Sequence, residues 1–422
     1  MRATGETSLT LADLDYELPR ELVAQHPVEP RDASRLLVWR RDGRPDTAPE
    51  DRLFRELPRL LRPGDVLVRN DTRVFPARAF FRRATGGRIE ALFLRPAPSA
   101  GGAASPAPLM GGAASQTASA GAPRDPSAGG LLPRSAARSQ PRIQPDVPPD
   151  VQATEIAAET PASAAGEAWE VLLRGRPRPG EVLTSEALGD EWPLTCIEPL
   201  GDGRWTVAAP AGRDVFTLLE RAGVTPLPPY IHERLDDPER YQTTYARVTG
   251  SAAAPTAGLH FTPAVDAALH AAGVAIETVT LHVGLGTFKP LQEDSLEADE
   301  LHAEAYELDA VTWERIAAAR ADGRRVIAVG TTSMRVLEHV AAAAAADPEA
   351  GPPLRGETRL FIRPGHEFRL VGGLVTNFHL PRTSLLALVM AFCGVEETRR
   401  LYAHAVRERY RFYSFGDAMV AL

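Results

Sequence analysis

A chain of 422 residues with 44% hydrophobic and 24% charged residues has the composition of a soluble globular protein large enough for two or three domains. No apolar run approaches bilayer length, and the N-terminal MRATGETSLTLADLDYELP lacks an apolar signal core, so a cytoplasmic protein without a membrane partner is expected. A formal charge of −8 argues against coating nucleic acid by bulk attraction, and two cysteines, Cys196 and Cys393, are too few for a disulfide framework or a cysteine zinc site.

In chain order, LADLDYELPRELVAQHPVEPRDASRLLVW alternates at Leu14, Tyr16 and Leu18. It then crosses a polar loop (His26, Pro27, Pro30, Arg31, Asp32, Ser34, Arg35) into a strand at Leu36–Trp39. A short helix is expected over Asp51–Leu61, ending at the turn Arg62, Pro63, Gly64, Asp65. From Asp65 the pattern becomes period-two strands. DVLVRNDTRVFPARAFFRR and GGRIEALFLRP resume at EAWEVLLRG, GEVLTSE, EWPLTCIEPL and GRWTVAAP, which predicts a small β-barrel or sandwich. Asn70, Asp71, Thr72 and Arg73 interrupt the alternation, as an Asx-type turn or as a ligand-facing loop. Between the strands, residues 97–166 are almost entirely Ala, Pro, Gly, Ser, Arg and Gln, a composition that cannot bury enough surface to order itself, so a disordered insertion is expected.

Helical periodicity returns in GRDVFTLLERAG, followed by a proline turn with Tyr230. Between Ser251 and Pro290 the chain reads as loop, helix, strand and glycine turn. Thr262 fits an N-cap, Pro263 the first helical position and Gly273 the stop, and the β-rich run Val274–Val283 enters Gly284, Leu285, Gly286 and Thr287. EDSLEADELHAEAYELDA reads as a polar segment, with Glu297, Glu300, His302 and Glu304. A helix over Val311–Ala321, a strand over Arg325–Val329 and a second helix from Gly330, Thr331, Thr332, Ser333, Met334 and Arg335 complete an α/β alternation. TRLFIRPG and FRLVGGLVTNFHLPRTS add strands, and a final helix starts near Ser384.

The fold class predicted is therefore α/β: a mostly parallel sheet with flanking helices (a Rossmann-like main domain, 1–62 and 211–422) plus an inserted small β-barrel domain (63–210) carrying the disordered insertion. In such sheets ligands collect beyond the carboxyl ends of the strands, where His260, His282 and His379 are expected to stand. Asn377 and His379 share a face by period two, and each histidine is alternatively a satisfied core residue. The Gly330–Ser333 run suits a carboxylate or phosphate, or an unliganded helix start; it lacks the lysine and spacing of a P-loop. Gly284 and Gly286 are an incomplete dinucleotide fingerprint, the serines lack a nucleophile elbow, Lys289 reads as a surface lysine, and with no HxH or HExxH spacing no metal is expected. Arginines concentrated over Arg62–Arg95 and in RRLYAHAVRERYRFY read as solvated faces or as contacts to a polyanion.

Taken together, YELPRELVAQHPVEPRDASRLLV, GDVLVRNDTRVFPAR, PLPPYI, YQTTYARVTGSAAAPTAGLHF, VTLHVGLGTFKP, VIAVGTTSMRVLE, LVTNFHLPRTSLLALVMAF and YRFYSFGDAM resemble the S-adenosylmethionine:tRNA ribosyltransferase-isomerase family of queuosine biosynthesis, over nearly the whole chain except the insertion. The resemblance implies S-adenosylmethionine as co-substrate and ribosyl donor. It implies a tRNA anticodon arm carrying 7-aminomethyl-7-deazaguanine as acceptor, and epoxyqueuosine, adenine and methionine as products. Under it, His260 or His282 is expected as base, with His379 or Asp417 as acid or orienting partner. Thr256, Gly258, Gly284, Gly286 and Thr287 would shape the nucleoside pocket, with Asn377 beside it. Thr331, Thr332 and Arg335 would hold a carboxylate or phosphate. Asn70, Asp71 and Arg73 would contact RNA, and Tyr230, Tyr413 or Phe415 would stack on a base. A monomer is expected. A non-catalytic RNA-binding protein and a methyltransferase are the alternatives, separable by their products.

Overall fold

The computed structural model describes residues 9–41, 48–97, 166–284, 291, 296 and 300–422. The expected insertion falls outside them except at its two ends, as do Gly286, Thr287, Lys289 and Glu297.

In chain order the strands are β1 (Arg35–Trp39), β2 (Glu50–Leu53), β3 (Val66–Asn70) and β4 (Thr72–Val74). Then come β5 (Arg78–Arg82), β6 (Arg88–Pro96), β7 (Ala168–Arg174), β8 (Val182–Ser185), β9 (Gly189–Gly201) and β10 (Arg204–Ala208). The rest are β11 (Val248–Ser251), β12 (Ala275–Leu281), β13 (Glu300–Glu307), β14 (Val326–Val329), β15 (Arg355–Leu360), β16 (Gly373–Asn377) and β17 (Ala418–Ala421).

Nine of them form one sheet in the order β15-β13-β12-β3-β14-β16-β17-β1-β2. β12, β3, β14 and β16 run parallel at its centre, and β1 is parallel to β17. The pairs β12–β13, β13–β15, β16–β17 and β1–β2 are antiparallel. The expected mostly parallel, Rossmann-like sheet is therefore a mixed sheet with a parallel centre. The centre is parallel because its strands are apolar on both faces: β3, β14 and β16 are buried at every position. Helices cover those faces, chiefly Pro263–Ala271 and Gly330–Ala346. Several of the helix starts have a side-chain cap. Thr262 accepts from the Val265 amide with Pro263 following, and Asp309 and Thr383 cap Ala310–Ala321 and Ser384–Cys393 in the same way.

β5–β10 close into a six-stranded antiparallel barrel, as the alternating segments predict. Its interior is aromatic: Trp192 meets Phe81 at 5.1 Å and Phe93 at 5.4 Å, and Trp169 meets Phe216 of the Val215–Ala222 helix at 5.2 Å. Sequence alternation placed Val66–Asn70 in this β region. Instead β3 is a central strand of the large sheet, because its two-sided burial suits that position, and the chain leaves for the barrel only after β4. On returning, the chain pairs β11 in parallel with β4.

Three further expectations change. Asp51–Leu61 is β2, a 3₁₀ turn and only a four-residue helix, Leu57–Leu60. The acidic segment contains β13, and beyond Ser384–Cys393 lie another helix, Val395–Arg407, and β17.

Candidate functional site

The parallel strands β12, β3, β14 and β16 end along one edge, and each delivers polar residues there: His282, Asn70 and Asp71, Thr331 and Thr332, Asn377 and His379. His260 joins them from a 3₁₀ turn, Thr256–His260, packed near the end of β16. The outer members of this row, β12 and β16, are three strand spacings apart, about 14 Å.

His260 is buried and its ring stacks on Phe54 at 5.0 Å. Its Nε2 lies 3.2 Å from Asn377 Oδ1, and its Nδ1 lies 2.8 Å from Ser34 Oγ. Asn377 Nδ2 donates to the Tyr413 carbonyl at 2.9 Å and toward that of Ser414 at 3.4 Å, which fixes the amide with its oxygen toward His260. Nε2 must then carry the imidazole proton, and Nδ1 accepts the Ser34 hydroxyl. Burial lowers the His260 pKa to about 4; the Asn377 bond opposes this, and the positive field of Arg31, Arg411 and Arg240 adds to it.

His282 lies 2.8 Å from Thr72 Oγ1 through Nδ1, while Nε2 has no hydrogen-bond partner among the described residues. Its ring rests on Gly250, where an added Cβ would fall 2.7 Å from Cε1, so only glycine allows that approach. Burial also lowers this imidazole to about 4, against the pull of Glu307. His379 Nε2 pairs with Thr376 Oγ1 at 2.7 Å, its amide donates to Tyr402 Oη at 3.1 Å, and burial lowers its pKa to about 3. All three imidazoles are thus neutral near pH 7.

Two hollows open beside this row and share Ser414. One is cationic, with Arg31, Ser34, Arg240 and His260 in its lining; the other is aromatic and neutral, with Tyr230, Thr256, Asn377, His379 and Tyr413. His282 lines neither, so the three histidines share an edge, with two of them at adjoining hollows.

The queuosine biosynthesis protein family model matches residues 11–124 and 142–421. The chain belongs to this family, the S-adenosylmethionine:tRNA ribosyltransferase-isomerases. The relative so named from Rubrobacter xylanophilus is 44% identical over 412 residues, covering 97% of each chain. That from Anaeromyxobacter sp. is 44% identical over 415 residues, 98% of this chain and 99% of its own. A crystal structure of S-adenosylmethionine tRNA ribosyltransferase from Thermotoga maritima is 30% identical, covers 97% of this chain and 100% of that one, and has a TM-score of 0.45.

Several residues read from the sequence as this family's site are engaged in bonds within the protein. Asn70 and Asp71, expected to contact RNA, are buried. Asn70 bonds Leu281 through both its amide groups and closes the expected Asx turn onto the Thr72 amide at 3.1 Å. Asp71 accepts from Thr280 Oγ1 at 2.6 Å and Arg247 Nη2 at 2.8 Å. Arg73 is half-exposed and paired with Glu239. Arg335 is buried against Glu304 and donates to the Leu360 carbonyl at 3.1 Å, so its charge is already compensated. Thr331 and Thr332 are buried beside it, and Thr332 Oγ1 receives Asn70 Nδ2 at 3.3 Å. An added Cβ on Gly258 would fall 2.1 Å from Tyr245 Oη, so this glycine serves internal packing. Gly284 donates its amide to Glu304 at 2.9 Å. Asp417 is buried and takes the Arg35 and Arg411 amides, each at 2.8 Å; burial raises its pKa against those bonds, and both oxygens act as a backbone clasp. Tyr230 and Tyr413 do line the neutral hollow, with rings 4.8 Å apart and Tyr230 Oη bonded to Ser414 Oγ at 2.7 Å. Phe415 is buried and lines the cationic one.

Ser34, Arg31 and Arg240 were not singled out as site residues from sequence. For Ser34 and Arg31 the signal available was the polar run HPVEPRDASR; Arg240, in DDPERYQ, had none.

Proposed function

We propose that this protein transfers and isomerises the ribosyl moiety of S-adenosylmethionine onto 7-aminomethyl-7-deazaguanine at the tRNA wobble position, giving epoxyqueuosine and releasing adenine and methionine. What carries the reading is identity of 44% along nearly the full length of relatives bearing the ribosyltransferase-isomerase name. A tRNA substrate implies the cytoplasm as its place of work. Among the described residues no helix is long and apolar enough to cross a membrane.

The chemistry sets three demands on the chain. A base must take the C5′ proton acidified by the sulfonium, adenine must leave, and the acceptor amine must attack in neutral form. His282 suits the first by its bonding, because among the described residues its Nε2 is unspent and Thr72 holds the opposite side of the ring; as it lines neither hollow, the donor's C5′ would have to reach toward it along the strand edge. A pKa near 4 makes it a weak base that is fully deprotonated at working pH. His379, lowered to about 3, holds no proton to give as an imidazolium, so it orients rather than acts as acid. The neutral hollow, with Tyr230, Tyr413 and Thr256, accommodates a nucleoside face.

The test is adenine release from S-adenosylmethionine in the presence of an anticodon stem-loop carrying the aminomethyl base. His282→Ala should slow release by about 100-fold or more. Parent-level rates in His260→Ala, His282→Ala and His379→Ala alike would end the histidine scheme. S-adenosylhomocysteine as product would replace the reaction with methyl transfer.

A further inference from the structure

The cationic hollow has a polarity that follows from its hydrogen bonds. Asn377 forces the proton of His260 onto Nε2, so Ser34 must give its own proton to Nδ1. Ser34 Oγ therefore faces the hollow as an acceptor only. Beside it, Arg31 donates to the carbonyls of Gln242 (2.9 Å), Leu259 (3.2 Å) and Glu239 (2.8 Å), and among the described residues no carboxylate hydrogen-bonds it. Arg240 pairs with the exposed Glu29 and donates to the Val28 carbonyl at 2.9 Å. A ligand group that satisfies this lining presents a negative charge to the guanidinium groups and an N–H donor to Ser34. An α-amino carboxylate has both, one bond apart from a common carbon.

We infer that this hollow holds the amino-acid end of S-adenosylmethionine: Arg31 and Arg240 face its carboxylate, Ser34 accepts from its ammonium group, and His260 is the positioning residue that keeps the Ser34 hydroxyl turned away. The inference rests on the proposed ribosyl donor, and it moves the carboxylate contact from Arg335, whose charge Glu304 already meets, to the hollow that Arg31 lines. The nucleoside end then belongs in the adjoining neutral hollow, which meets this one at Ser414. Ser34 and Asn377 belong to different hollows, and one neutral imidazole ties them together.

The experiment compares two ligands on the full chain by calorimetry: S-adenosylmethionine, and 5′-methylthioadenosine, which lacks the amino-acid end. Ser34→Ala should weaken S-adenosylmethionine at least tenfold and leave 5′-methylthioadenosine within twofold, and Ser34→Thr should restore affinity. His260→Ala should show the same selectivity, and the double variant should bind no more weakly than either single one. A merely structural histidine would instead weaken both ligands and add its effect to that of Ser34. Val28→Glu, which sets a carboxylate beside both arginines without touching the hydrogen-bonded chain, should also weaken S-adenosylmethionine alone. Equal loss for both ligands, no loss for S-adenosylmethionine, or loss confined to anticodon stem-loop RNA would overturn the assignment; the last would make the hollow a phosphate site. A parent chain that binds S-adenosylmethionine as expected but yields S-adenosylhomocysteine would fail the reaction and leave this site standing.

Discussion

The barrel and the carboxyl edge of the large sheet solve burial in opposite ways. The barrel fills its interior with Trp169, Trp192, Phe81 and Phe93 and keeps its charges outside, where Arg88 and Arg82 flank Glu186. The sheet edge instead buries polar and charged groups and satisfies them pairwise: Asp71 with Arg247 and Thr280, Arg335 with Glu304, His260 with Ser34 and Asn377. A group left unsatisfied in low dielectric is costly, so such an edge is shaped by what each polar atom must face. Inside the barrel the unpaired polar atoms among the described residues are the indole N–H groups of Trp169 and Trp192, donors without acid–base chemistry. The edge is where an unspent Nε2 or an acceptor-only hydroxyl has chemical meaning.

The contrast can be broken from the barrel side first. Trp192→Ala removes a fully buried indole and should cost about 3–5 kcal/mol in urea unfolding, while the protein that remains folded releases adenine at the parent rate. Equal damage to turnover would mean that the barrel takes part in the reaction. At the edge, Asp71→Ala strips three hydrogen bonds from Arg247 and Thr280 and should cost about 2–3 kcal/mol, with turnover falling as well. Gly250→Ala pushes a methyl into the His282 ring and should lower adenine release by roughly tenfold or more, with a smaller loss of stability. A parent-like rate would show that the ring position is immaterial.

Acid sharpens the same difference. His260, His282 and His379 sit near 4, 4 and 3 when folded, against an ordinary 6.5 unfolded, so the unfolded chain binds more protons between those values. Their contribution is fully present above pH 6.5 and is lost as pH falls through the folded values. Each imidazole adds up to about 1.4 kcal/mol per pH unit to the slope within that window. His379→Gln should flatten the denaturation midpoint between pH 6.5 and 4, and an unchanged slope would refute the burial argument. Least affected should be Arg88→Ala on the barrel exterior, within about 0.5 kcal/mol in the same assay.

The barrel was legible in sequence because period-two alternation and glycine turns are local signals, and four of its strands were read beyond a long interruption. β13 was not, because Glu300, His302, Glu304 and Glu307 make ELHAEAYE look solvated until β12 and β15 flank it. β17 is only four residues, too short for any periodicity. At the site, the histidines could be named from where strands end. Their ionisation and hydrogen bonding could not, because Ser34 is 226 positions from His260 and Asn377 is 117. That pairing belongs to the sheet order, and the sheet order is set by tertiary packing.

The placement of β17 between β16 and β1 bears on how the molecule is made. β1 finds its parallel partner in Ala418–Ala421, so a nascent chain carries the β1–β2 pair out of the ribosome long before β17 is made. Until then one edge of the β1 strand that carries Leu36, Leu37 and Val38 has no partner, so this side of the sheet closes only with its last strand.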